Sequence, residues 1–362
     1  MQVQIKNITL NMLLKRILKS VSPSTNNSLN ILLRIIDKKI YCVAINDLIE
    51  IATYETLDTI QNNLEIIINY DLIYNISRKS KLDSYITLKK EKKHLEIITH
   101  DSIYKIPRKI NILPSFELDG NKLLKINLKA KKFIYLLKHI KLSIPEGTIE
   151  NFLNKFILEI NNNTITGISS DGLRLSFFNT AINSFSSKKF KVILNKDIIK
   201  NIINIFEDDI YITMIIYNSK IKIVSENLIM TFNVMNEFYN IPNIRVDKTR
   251  LNIFKINRAL MLNILDKVSI LKIEHNRILF KLTKNKTFIT GGNFTESVTC
   301  FINHDYPIEN DIIISFNYKH LKEILKLTNE KFFDFIIAND NKIIIIREIN
   351  SEFLHIIMPF NI

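Results

Sequence analysis

Apolar residues recur at helical spacing in six places along this chain, and the six fall into three matching pairs. Leu10, Leu13, Leu14 and Ile17 form a stripe that Leu18 and Val21 extend, as one buried helical face requires. The stripe returns as Phe133, Leu136, Leu137 and Ile140, then as Met261, Ile264, Leu265 and Val268. A second helix follows each of these, at Leu72 and Ile76, at Ile198 and Ile202, and at Leu321 and Leu325. Two strand runs separate the helices of a pair, and closing strands begin at Tyr85-Ile86, Tyr211-Ile212 and Phe333-Asp334. Within Lys220–Val224 the apolar positions alternate as in a half-buried strand. One copy is too long for a solenoid repeat and large enough to bury a core of its own. The pattern therefore predicts an α+β chain of three tandem, pseudo-equivalent domains, 1–119, 120–247 and 248–362, each with two helices packed on antiparallel sheets.

Composition agrees with this reading. A chain of 362 residues with 46% hydrophobic content suits two or three globular domains. No run approaches the roughly 18 apolar residues of a membrane span. The basic, amphipathic residues 1–20 supply the first helix and are read as structure, not as a targeting peptide. Cys42 and Cys300 are the only cysteines and form neither a CxxC pair nor a cluster with histidine, so a cytoplasmic, disulfide-free protein without metal or cofactor is expected. The net charge of +14 points toward nucleic acid. An abundance of lysine, asparagine and isoleucine would produce part of that charge by compositional drift, so its placement has to decide.

The placement repeats. Lys15, Arg16 and Lys19 lie outside the first apolar stripe, as do Lys131, Lys132 and Lys138 in the second repeat and Arg258 and Lys267 in the third. The second helices carry Arg78 and Lys79, Lys196 and Lys200, and Lys319, Lys322 and Lys326. Any solvent-facing helix is charged, but recurrence in three domains predicts a surface that meets duplex phosphates without reading sequence. No aromatic platform interleaves with the cations, which argues against stacking on a single strand. A nuclease would need clustered carboxylates, and no HExxH or Walker-type loop occurs either. A basic DNA-binding protein without a topological hold, or a DNA-processing enzyme of an unrecognised type, remains the alternative.

Residues 149–179, IENFLNKFILEINNNTITGISSDGLRLSFFN, and the ending HIIMPFNI carry a resemblance to the bacterial DNA polymerase III beta subunit, the replicative sliding clamp. Residues 314–325, ISFNYKHLKEIL, and 237–246, EFYNIPNIRV, support it. The resemblance implies a ring-shaped, head-to-tail homodimer that encircles double-stranded DNA, slides on it and tethers the polymerase without catalysing a reaction. It implies as partners the polymerase alpha subunit, the clamp loader and other proteins with clamp-binding motifs. It also implies a peptide cleft formed by Leu153, Ser170, Gly172, Leu173, Arg174, Leu175, Ile244, His320, Ile356, Met358, Pro359 and Phe360, and a dimer interface at Tyr104, Ile106, Ile270 and Leu271. Leu173, Tyr239 and Asn361 depart from the family pattern, and the loop at 22–29 is shorter. Asp171-Gly172 reads equally as a hairpin turn between the strand runs on either side.

Overall fold

The computed structural model describes residues 1–18, 29–46, 48–58, 62–107, 122–144, 155–161, 163–182, 189–206, 209–234, 251–293, 295–304, 308, 310–338, 342–348 and 353–360. Each third of the chain follows one order of elements. The first runs β1 (Gln2–Lys6), α1 (Asn7–Leu18), β2 (Asn30–Ile36), β3 (Lys39–Ile45), β4 (Ile49–Thr56), β5 (Leu64–Asn69), α2 (Tyr70–Lys79), β6 (Tyr85–Lys90), β7 (His94–Ile98) and β8 (Ile103–Pro107). The second runs β9 (Leu124–Lys129), α3 (Ala130–Lys141), β10 (Lys155–Asn161), β11 (Thr164–Ser170), β12 (Arg174–Ala181), β13 (Phe190–Asn195), α4 (Lys196–Phe206), β14 (Tyr211–Ile216), β15 (Lys220–Val224) and β16 (Leu228–Asn233). The third runs β17 (Leu251–Asn257), α5 (Arg258–Val268), β18 (Arg277–Leu282), β19 (Lys286–Gly292), β20 (Ser297–Asn303), β21 (Ile312–Asn317), α6 (Tyr318–Leu327), β22 (Phe332–Ala338), β23 (Ile343–Glu348) and β24 (Phe353–Ile357).

Each helix begins where a strand stops, and asparagine is the last strand residue before α2, α4, α5 and α6. The Asn69, Asn257 and Asn317 side chains accept from the backbone N–H of Leu72, Leu260 and Lys319 at 2.9, 3.0 and 3.0 Å, satisfying donors that the first helical turn leaves open. Leu10, Leu13, Leu14 and Ile17 are fully buried, and each such side chain contributes roughly 1.5–3 kcal/mol relative to an exposed one. The stripe predicted at Leu18 ends there: Leu18 is the last helical residue and is exposed, and Val21 lies outside the described residues. Four strands, not two, separate the paired helices, because short charged turns divide the apolar runs. Asp37, at φ 54°, occupies such a turn between β2 and β3.

The strands form four antiparallel sheets. Two have four strands, ordered β1-β6-β7-β8 and β20-β19-β18-β21. Two have eight, ordered β5-β2-β3-β4-β16-β15-β14-β9 and β13-β10-β11-β12-β24-β23-β22-β17. The eight-stranded sheets arise where a strand of one third pairs with the last strand of the next, β4 with β16 and β12 with β24. The chain correspondingly forms two compact units that share the middle third, one built on residues 1–134, 182–184 and 197–236, the other on 135–181, 185–196 and 237–362. In the first, α1 packs on β3 and β4; in the second, α5 packs on β17, β19 and β20. The domain limits expected at 119/120 and 247/248 fall outside the described residues.

Candidate functional site

The most strongly patterned site lies in the second unit, where β12 meets β24. The hairpin between β11 and β12 is held by its own polar atoms: Asp171 Oδ1 accepts from the backbone N–H of Leu173 and Arg174 at 3.0 and 2.8 Å, while Asp171 N–H donates to the Arg174 carbonyl at 3.2 Å. Gly172, at φ 87°, takes the first position of the two-residue loop and Leu173 the second, so Asp171 flanks the loop instead of sharing it with the glycine. Leu173 is left 56% exposed at the tip. Ser170 Oγ donates to the Arg174 carbonyl at 3.0 Å and accepts from Gly172 N–H at 3.2 Å, closing the turn from beneath.

The β12–β24 register places Leu175 opposite Ile356. Both are nearly buried, in an apolar cluster with Ile336, Ala338, Ile343 and Ile345. Past β24 the chain stays attached at two points: Met358 N–H donates to the Leu173 carbonyl at 2.8 Å and Phe360 N–H donates to the Ser315 carbonyl on β21 at 2.7 Å. Arg277 donates to Ser315 Oγ at 3.0 Å, with its guanidinium carbon 6.0 Å from the centre of the Phe360 ring. Met358 is exposed and Pro359 and Phe360 are half-buried. The structure thus gathers Ser170, Gly172, Leu173, Arg174, Leu175, Ile356, Met358, Pro359 and Phe360 around one joint; Leu153 and Ile244 lie outside the described residues.

Two polar groups border this apolar surface. Arg174 donates through Nε to Asp171 Oδ2 and through Nη1 to Glu323 Oε2 on α6, each at 2.7 Å. His320, on the same helix, is half-buried, and burial followed by the neighbouring Arg174 charge lowers its pKa, so the ring is neutral at pH 7. Behind the joint, His139 Nδ1 lies 3.0 Å from His355 Nε2, His355 Nδ1 lies 2.8 Å from Ser176 Oγ, and Ser176 Oγ lies 2.6 Å from Ser143 Oγ. Two tautomer sets satisfy the chain: His139 donating to His355, His355 to Ser176 and Ser176 to Ser143, or the same three bonds run in reverse. Among the described residues, His139 Nε2 has no hydrogen-bond partner. Burial lowers the pKa of His139 to about 3 and that of His355 well below its ordinary value. Neither Glu323 nor this chain of histidines and serines was identifiable as part of the site from the sequence. Glu323 is 149 residues from its partner, and His355 reads as one alternate position of a strand.

The cations on the helices divide by environment. Lys15, Arg78, Lys79, Lys131, Lys132, Lys200, Lys267, Lys319 and Lys326 are exposed. Arg16, Lys138, Lys196, Arg258 and Lys322 are half-buried; Arg16 pairs with Glu55, Arg258 with the Leu325 carbonyl and Lys322 with Asp266. Lys19 lies outside the described residues. Tyr104 and Ile106 stand on β8, the terminal strand of its sheet, with Tyr104 37% exposed. Ile270 is 81% exposed just after α5, and Leu271 is half-buried.

Residues 127–240 match the family model described as DNA polymerase III beta subunit, central domain. No curated protein matches the sequence. Among solved structures, the DNA polymerase III subunit beta from Pseudomonas aeruginosa superimposes with a TM-score of 0.89 at 17% identity, covering 100% of both chains. The Helicobacter pylori beta clamp bound to a DNA ligase peptide superimposes with a TM-score of 0.86 at 18% identity, again over 100% of both. At these identities the likeness is one of fold: from end to end, this chain has the fold of the bacterial beta clamps.

Proposed function

We propose that this protein is a DNA polymerase III beta sliding clamp, a head-to-tail homodimer that closes around duplex DNA and holds the replicative polymerase at the primer end. One observation carries the reading: the two strand joints inside the chain are built to a single plan, and the chain holds the two halves of a third. The β3–β4, β11–β12 and β19–β20 hairpins are each capped by one Asx side chain, with Asn46 accepting from Leu48 and Ile49, Asp171 from Leu173 and Arg174, and Asn293 from Thr295 and Glu296. After the first, β4 pairs with β16, Ile49 opposite Phe232 and Thr53 opposite Leu228; after the second, β12 pairs with β24, Arg174 opposite Ile357 and Phe178 opposite Phe353. The equivalent strand β20 ends its sheet, and so does β8, the equivalent of β16 and β24. Pairing β20 of one copy with β8 of the next repeats the plan, satisfies both edges and is heterologous, the kind of contact from which a closed ring of two copies is built.

Ring closure makes tight DNA binding unnecessary. Exposed lysines such as Lys15, Lys131 and Lys200 exchange phosphate contacts as the ring moves, and the protein makes and breaks no covalent bond. Its partners are itself, double-stranded DNA, the polymerase alpha subunit, the clamp loader and other proteins whose motifs enter the β12–β24 cleft; that the Helicobacter pylori beta clamp is bound to a DNA ligase peptide supports the last of these. A tethered polymerase gains effective concentration at the primer end. The cytoplasm is the expected compartment. The experiment is retention on nicked circular DNA after loading, with the solution mass measured alongside. Retention of a dimer on circles and its loss on linearisation supports the ring; a monomer held equally by both forms rejects it.

A further inference from the structure

Resting on the reading of the β12–β24 joint as a peptide cleft, we infer that Glu323 is a specificity determinant: it favours partner peptides with a cationic side chain beside the apolar anchor and disfavours those with a carboxylate there. The geometry runs against the simple expectation for a cleft bordered by arginine. A free guanidinium would recruit acidic residues, but Arg174 is clamped between two carboxylates at 2.7 Å each and its side chain is only 13% exposed. Its remaining freedom is small, because Asp171 is tied to the hairpin backbone through its other oxygen. His320 adds no charge at neutral pH. The hairpin edge of the cleft therefore carries two carboxylates against one cation, and Glu323, at 47% exposure, is the member that solvent and an incoming peptide reach. Lys319 and Lys326 follow the same helical face, yet Arg174 is the only ion-pair partner of Glu323 among the described residues. The choice of Arg174 over these nearer lysines fixes Glu323 toward the hairpin.

The test uses the full chain and three fluorescein-labelled peptides that share leucine and phenylalanine anchors and differ at one neighbouring position, lysine, alanine or aspartate. Fluorescence anisotropy at low salt is expected to rank them in that order, with about fivefold between the ends, the scale of a partly exposed ion pair. High salt should compress the ranking. In Glu323→Gln, Arg174 loses one of its two anchors and the aspartate peptide should bind at least as well as the lysine peptide, with circular dichroism melting unchanged. Equal affinities of the native chain for the three peptides, or an unchanged ranking in Glu323→Gln, would overturn the role of Glu323 while leaving the cleft in place. Failure of the native chain to bind any of them would remove the cleft reading and this inference together.

Discussion

The two joints of the chain share a backbone register and invert its chemistry. At the β12–β24 joint the pair Leu175 and Ile356 is apolar and the next pair, Ser176 and His355, is polar and buried. At the β4–β16 joint the equivalent pairs are Glu50 with Thr231, then Ile51 with Met230. Successive residues of a strand face opposite sides, so one joint is greasy on the side where the other is polar. On the proposed reading, this difference is what suits the second joint, and not the first, to apolar peptide anchors. On the β2–β4 side of the first joint the surface carries a hollow of about 520 Å³ where Arg34, Asp37, Lys38, Lys39 and Glu50 mix with Ile36, Tyr41, Val43 and Ala52. The cleft also has a cost: turning its apolar residues one way turns His355 and Ser176 the other, and the hydrogen-bonded chain to His139 and Ser143 offsets their burial.

The largest effect tests whether a third joint follows the same register. In the two existing joints Thr53 faces Leu228 and Phe178 faces Phe353. In the proposed dimer, by equivalence, Cys300 on β20 would face residue 102, just before β8, of a second copy. In Ser102→Cys, mild oxidation is expected to convert most of the protein into covalent dimers and closed rings on non-reducing gels. Lys93→Cys, exposed in the β6–β7 turn, should cross-link little. Equal cross-linking in both variants would break the equivalence.

The next effect exchanges the chemistry of the joints. Leu175→Glu with Ile356→Thr gives the cleft the outward pair of the first joint. Anisotropy should show a loss of peptide affinity of about a hundredfold, as expected when central apolar anchors lose their pocket. The solution mass should be unchanged, since neither residue lies on β8 or β20. Retained affinity would place the peptide elsewhere.

The buried histidines give the second joint a pH dependence that the first lacks. Both folded-state pKa values lie below the ordinary 6.5, so the unfolded chain takes up protons first, and stability falls as pH drops from about 6.5 toward the folded value of about 3 for His139. Each histidine should cost about 1.4 kcal/mol per pH unit well below 6.5. Tyr135, stacked edge-on against His139 at 4.4 Å and itself held protonated by burial, supplies no charge to relieve this. Arg174 opposes protonation of His355 further. Urea unfolding between pH 7 and 5 should therefore show a steep loss in the native chain and a shallower one in Ser176→Ile with His355→Met, which copies the first joint.

How far all this could be read from the chain depended on the range of each interaction. The helices were legible because Leu10, Leu13, Leu14 and Ile17, with their two counterparts, leave a local period that burial then fills. The hairpin at Gly172 was legible for the same reason, except that Asp171 serves as its cap and not as a loop residue. Pairings such as β4 with β16 leave no local trace, so the threefold repeat was visible while the sheets that join successive repeats were not. Most cleft positions came from resemblance. Arg174 was among them, but its carboxylate partner on a distant helix was not, and that partner changes what the arginine can do.

The smallest effect lies at the first joint. Thr53 is fully buried on β4, and its Oγ1 has no hydrogen-bond partner among the described residues. The equivalent position in the second joint is Phe178, which needs no partner. Val has nearly the shape of Thr and the same preference for strands, so Thr53→Val removes the desolvated hydroxyl without opening a cavity. The expected gain is about 1 kcal/mol, read as a rise of a few degrees in the melting temperature. Peptide affinity at the other joint should not change. A loss of stability instead would mean that the hydroxyl is satisfied, and the first joint would then share the second's dependence on a buried polar contact.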